Sequence, residues 1–232
     1  MKRKRAGNAR RGPEKAGNNG STGSLPKRLR RIWGRFWHFF WEEDTLLSWI
    51  VNIIVAFILI KWIVYPGLGL VLQTDYPVVA VISNSMEHDN GFGEWWSTQG
   101  EWYEERGISE EDFTDYIFSN GFNRGDIMIL QGAEEDEIKV GDVIVYKSYI
   151  REEPIIHRVV RVNKTAGGSH FYVTKGDHND RPYPFEIRIN PDDVLGKALF
   201  RIPYMGWIKI TFVCAVENII GHGNFITCMG GA

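Results

Sequence analysis

PVVAVISNSMEHDN, residues 77–90, starts as a β-branched apolar run and ends in polar, turn-forming residues. A leading Pro followed by Val and Ile reads as a strand that stops at Ser83. Two hydroxyls, Ser83 and Ser85, then stand two residues apart at its end. The same grammar recurs downstream in DIMILQ (126–131), DVIVYKSY (142–149), PIIHRVVRV (154–162), HFYVTKG (170–176) and VLGKALFRI (194–202). Each run is rich in Val, Ile, Tyr and Phe and is bounded by Gly-Asp, Asn or Pro. Few helical periods interrupt them, so residues 74–203 are expected to form one mainly β domain. Within it, residues 87–122 stand out as an acidic, aromatic insertion. Its ISEEDFTDYIF resembles a short capped helix, with Ser109 as the cap and Asp112 three residues on.

Upstream lies TLLSWIVNIIVAFILIKWIVYPGLGLVL, residues 45–72, with one Asn and one Lys among apolar residues. A membrane span needs roughly 20 residues, so this stretch is expected to be a transmembrane anchor, with Lys61 snorkelling outward. No small-x-small cleavage site follows it, which argues against a removable leader. Residues 27–44 place Trp33, Trp37, Phe40 and Trp41 among arginines, as in a helix at headgroup level. Residues 1–26 are basic and Gly-rich, too polar to bury a core, and are expected to be disordered. The first 35 residues carry twelve Lys or Arg and one acid, against 27 and 29 in the whole chain. A basic arm therefore precedes an acidic body. The arm reads as a topology signal near anionic lipid rather than a nucleic-acid arm, with the N-terminus cytoplasmic and the body outside. Residues 204–232 include MGWIKITFVCAVENII (205–220), too short for a comfortable span and expected to be an amphipathic, membrane-associated helix. The two cysteines, Cys214 and Cys228, permit a disulfide outside the cytoplasm without requiring one.

A serine hydroxyl needs a base to become a nucleophile, and His is the usual base near neutral pH. Of six histidines, His157 alone lies within a long apolar strand, IIHRVV. A buried ring there must have partners, because an unpaired polar atom costs about 1–3 kcal/mol. VTKGDHND, residues 173–180, brings Asp177 and Asp180 to a strand end, where a carboxylate could orient an imidazole. The plain reading of such aspartates is turn chemistry.

SNSMEH, NRGDIMIL, GDVIVYKS, IIHRVV, VTKGDHN and VLGKALFRIPYMGW follow one another in the order of the type I signal peptidase boxes. The chain resembles that family from the membrane segment to about residue 207. The histidine before Arg-Val resembles the archaeal and endoplasmic-reticulum branch, and together with the basic tail it suggests an archaeal source. The resemblance implies a signal-peptidase-like β domain behind a transmembrane helix, acting as a serine endopeptidase that removes signal peptides after small residues. It implies Ser85 as nucleophile, His157 as general base, and Ser83 with the Ser85 N–H as oxyanion donors. Asp177 is implied as the acid and Asp180 comes second, with Glu186 as a substitute if the loop is rearranged. No cofactor or metal is implied. The partners implied are signal-peptide-bearing preproteins, membrane lipid and the secretion translocon, at the cell membrane. The chain departs from the pattern at Asn84, where the family has Gly, at His88, where it has Pro, and at Tyr183, where a second aspartate would fall. Asn tolerates unusual backbone angles better than most residues.

Three rival readings use the same residues. A serine–lysine protease would draw on Lys147 or Lys175, a metal hydrolase on His157, His178 and Asp177. A catalytically silent β domain would bind export substrates or partner subunits instead.

Overall fold

A computed structural model describes residues 45–220, 228 and 229. The readings of residues 1–26 and 27–44 lie outside the described residues. Helix α1, Leu46–Leu72, is 27 residues long and is the one helix among the described residues long and apolar enough to cross a membrane. Thr45 caps it, its Oγ1 accepting the Ser48 N–H at 3.2 Å. Pro66 has no N–H for the carbonyl four residues back and crowds it. Just upstream, over Ile60–Val64, the helix widens to π geometry. It ends at Gln73 in the left-handed conformation (φ 55°), whose N–H closes on the Gly69 carbonyl.

Six antiparallel strands follow: β1 Val78–Ala80, β2 Ile127–Gln131, β3 Val143–Ser148, β4 Arg151–Lys164, β5 His170–Lys175 and β6 Val194–Ile202. They form one sheet in the order β1-β2-β6-β3-β4-β5. β3 is apolar on both faces, and alternation sends its residues to two cores. Val143 and Val145 join Val81, Met86, Phe122, Met128 and Leu130, while Ile144 and Tyr146 join Ile155, Val159 and Tyr172. β1 is shorter than the PVVAVIS reading. After Ala80 the chain leaves the ladder, although Val81 still donates to the Asp126 carbonyl at 2.9 Å. Asn84 is not among the described non-glycine residues with positive φ, so the sharp turn expected there needs no special backbone.

The insertion is more helical than its sequence suggested. It folds as α2 Phe92–Glu104 and α3 Glu110–Thr114. α3 carries the Ser109–Asp112 capping box, and the Ser109 hydroxyl and N–H hold the exposed Asp112 carboxyl below its usual range. α2 was hidden by Gly93 and Gly100 and by aromatic residues of low helix propensity. Packing overrides that propensity, because Trp95, Trp96, Tyr103 and Phe113 make a third core against Val160 of β4.

Helix α4, Trp207–Ile219, buries Ile210 and Cys214 and exposes Ile208, Phe212 and Ile219. Cys214 is disulfide-bonded to Cys228, with Cα atoms 5.7 Å apart.

Candidate active site

The chain leaves β1 at the floor of an open cleft of about 740 Å³, lined by Ile82, Ser83, Ser85, Ile156, His157 and Phe185 among others. His157 is on β4, opposite Ile144 of β3, and is 5 % exposed. Its Nε2 is 2.8 Å from the Ser85 Oγ. The Ser83 Oγ lies 3.1 Å from the Ser85 Oγ. The residues nominated as nucleophile, base and second hydroxyl therefore meet at one point.

The other imidazole nitrogen, Nδ1, makes a short hydrogen bond to Glu186 Oε1. Glu186 is fully buried and comes from the 3-10 turn Pro184–Glu186 after β5. Its carboxylate also accepts from the Thr174 hydroxyl (3.1 Å), the Tyr146 hydroxyl (3.4 Å) and the Tyr183 N–H (2.7 Å). Burial, then the nearby Glu186 carboxylate, raises the Tyr146 phenol well above its usual value, so it stays a donor. An acceptor-only carboxylate at Nδ1 puts the imidazole proton there and leaves the Nε2 lone pair facing the serine.

The sequence points to Asp177 and then Asp180 as the partner of His157, and the geometry differs: the carboxylate on Nδ1 is that of Glu186. The fully buried Asp177 accepts from Arg158 Nη2 at 2.7 Å and Nε at 3.0 Å, from His88 Nε2 at 3.0 Å and from the Tyr103 hydroxyl at 3.1 Å. Arg158 follows His157 on β4, so the two side chains project to opposite faces, and Asp177 lies on the arginine's face. Burial alone would raise the Asp177 pKa, but the Arg158 guanidinium and the His88 bond hold it far below the carboxylate range. Asp180 is exposed on the turn.

Sequence reading also missed His88. It is the residue found in place of Pro, and its ring stacks on Trp95 with centroids 3.7 Å apart. Trp95 Nε1 in turn donates to the Asp177 carbonyl at 3.0 Å. The insertion is thereby tied to the turn behind Ser85. That turn holds Ser85 directly, since the His178 N–H donates to the Ser85 carbonyl at 2.9 Å.

Gly176 explains itself by close approach. A Cβ there would come within 2.8 Å of both His157 Nε2 and the Ser85 carbonyl oxygen. Gly176→Ala is expected to push the imidazole off the serine and lower kcat by about 10²-fold, measured as single-turnover cleavage of a peptide substrate.

The lysines of the rival reading sit elsewhere. Lys147 is exposed, with Nζ 5.7 Å from the Tyr76 ring centroid. Lys175 is buried, donating to the carbonyls of Gly176 and Asp177 at 3.3 and 3.2 Å. Burial lowers its pKa from 10.5 to about 8, against the opposing pull of Asp177. Between about pH 8 and 10.5 the unfolded chain holds this proton and the folded chain does not, so stability rises with pH across that window. Relative to Lys175→Met, the wild type should gain about 3 kcal/mol there, read from urea unfolding at stepped pH. Of the three residues of the metal-hydrolase reading, His178 pairs instead with Asp89 at 3.5 Å, and among the described residues no group of three or more His, Cys, Asp or Glu could hold a metal ion.

No family model matches the chain. Among curated proteins, signal peptidase complex catalytic subunit SEC11C of Homo sapiens is 29% identical over 152 residues, 63% of this chain and 62% of that protein. Signal peptidase complex catalytic subunit SEC11 of Lachancea thermotolerans is 32% identical over 154 residues, 63% of this chain and 71% of that protein. SEC11 of Eremothecium gossypii is similar to the same degree, 32% over 154 residues with the same shares. The chain thus spans 62% of the length of the mammalian relatives it matches.

Proposed function

The chain belongs to the family of signal peptidase complex catalytic subunits, and on that premise we propose that it is a membrane-anchored serine endopeptidase removing signal peptides from exported preproteins. The observation that carries the activity is the 2.8 Å contact between the Ser85 Oγ and His157 Nε2, with Glu186 on the far nitrogen. Ser85 attacks the scissile carbonyl as His157 takes its proton. The Ser83 hydroxyl and the Ser85 N–H receive the oxyanion. His157 then protonates the leaving amine, and a water, activated by the same ring, frees the acyl enzyme. Glu186 holds the tautomer and stabilises the imidazolium.

The substrate segment before the cut adds as an extended strand along the cleft. Main-chain hydrogen bonds supply its affinity and shallow pockets select small side chains. α1 crosses the cell membrane once, with the basic N-terminus in the cytoplasm and the β domain outside. Anchoring enzyme and preprotein in one bilayer raises their effective concentration, and it places the chain beside the translocon that delivers the substrate. The exposed Ile208, Phe212 and Ile219 of α4 rest on lipid. The named relatives are eukaryotic, so an archaeal source rests on the basic tail and the histidine box alone.

The test is cleavage of a model preprotein by detergent-solubilised protein. Ser85→Ala and His157→Ala should abolish it, and Ser83→Ala should lower kcat by about 10² to 10³. A wild type that binds preprotein without cutting it would replace this reading with the silent binding domain.

A further inference from the structure

At the far end of β4, Asn163-Lys164-Thr165 is an Asn-x-Thr sequence, the acceptor for N-linked glycan. It is the one such tripeptide between residues 45 and 229. A second, Asn19-Gly20-Ser21, lies in the basic N-terminal stretch. We propose that Asn163 carries an N-linked glycan, transferred from a lipid-pyrophosphate-linked oligosaccharide on the extracytoplasmic side. The inference rests on the orientation given under Proposed function and not on the peptidase chemistry.

Structure adds to the tripeptide in three ways. First, strand alternation turns Asn163 to the face of β4 opposite Val162. Val162 packs against the core containing Val159 and Tyr172, so the next residue faces away from it. Second, Asn163 is half-buried rather than enclosed, and its side-chain amide has no hydrogen bond to any described residue. Its backbone is paired with Phe171, so the strand does not depend on that amide. Third, the acceptor runs into an exposed hairpin turn. The Thr165 N–H donates to the Ser169 carbonyl at 2.8 Å and Gly168 takes φ +90°. Lys164 and residues 166–169 are exposed.

The position is compatible with the proposed activity. Asn163 is six residues beyond His157, about 20 Å along an extended strand, and it does not line the cleft.

The transfer balances without an oxidant or reductant. The Asn163 amide nitrogen bonds to the anomeric carbon of the oligosaccharide. The bond from that carbon to the pyrophosphate oxygen breaks, the amide gives up one proton, and the lipid pyrophosphate leaves.

The experiment is glycopeptide mass spectrometry on the full chain purified from the cells that make it. A hexose-based mass is expected on Asn163 and none on Asn19. It should vanish in Asn163→Gln and in Thr165→Ala and persist in Thr165→Ser, while Asn163→Gln cleaves preprotein as the wild type does. A bare Asn163 in the wild type overturns the proposal. A bare Asn163 with a modified Asn19 overturns the orientation with it. Glycan on Asn163 of a chain that cuts nothing would keep this proposal and reject the peptidase.

Discussion

Glu186→Gln is expected to lower kcat by about 10⁴-fold with KM little changed. The amide keeps the carboxylate's shape but can offer an N–H to His157 Nδ1. The imidazole then carries its proton on Nε2 and presents a donor, not a base, to Ser85. The Tyr183 N–H, which donates to the other carboxylate oxygen at 2.7 Å and cannot accept, draws the Gln oxygen to itself and leaves the amide N–H facing Nδ1, where the Thr174 and Tyr146 hydroxyls can turn to accept. Glu186→Asp tests reach: a shorter side chain should recover part of the rate if distance alone limits it. Pre-steady-state cleavage separates the acylation step from product release. A variant Glu186→Gln that cleaves at the wild-type rate would remove this residue from the mechanism.

Asp177→Asn should act on stability instead, by about 3–5 kcal/mol. It leaves the fully buried Arg158 guanidinium, now tied to the carbonyls of Ile117, Phe118 and Gly141, without its counter-ion. Because the folded Asp177 carboxyl is held below its unfolded value, its contribution is present above about pH 4 and is lost as pH falls through the folded pKa. The wild type should therefore show an acid-unfolding limb that flattens in Asp177→Asn. Urea unfolding from pH 2 to 7 measures both. The folded fraction of Asp177→Asn should lose far less kcat than Glu186→Gln, since no atom of Asp177 bonds to His157. The reverse ranking would return the triad to Asp177.

Much of the fold was legible because it is local. β2 to β6 announce themselves by runs rich in Val, Ile, Tyr and Phe between Gly-Asp, Asn and Pro, and α1 by its length. Ser83, Ser85 and His157 could be nominated because hydroxyls at a strand end and a histidine inside IIHRVV are chemically conspicuous. The acid was harder. Asp177 and Glu186 both follow β5, and only the three-dimensional parity of β4 decides which faces the imidazole. A sequence-level hint did exist in Tyr183-Pro184-Phe185-Glu186, whose Pro and terminal Glu suit a tight turn closed by the Glu carboxylate on the Tyr183 N–H. The aromatic helix α2 was invisible to propensity because its stability comes from Trp95, Trp96 and Tyr103 packing on β4, a contact between distant parts of the chain.

β4 is apolar on both sides, with Ile155 and Val159 toward one core and Ile156 and Val160 toward the other two. Burial by itself would accept this strand slid by one residue, because both faces would still be oily. The charges would not. A slid strand sets a guanidinium among Tyr146, Thr174 and Glu186, in a niche that fits a flat ring, and leaves the Asp177 carboxylate and the carbonyls of Ile117, Phe118 and Gly141 without their fork of donors. The polar pair at the centre of β4 thus serves as a molecular vernier: the groups that would cut the peptide also make the mispaired sheet the costlier one.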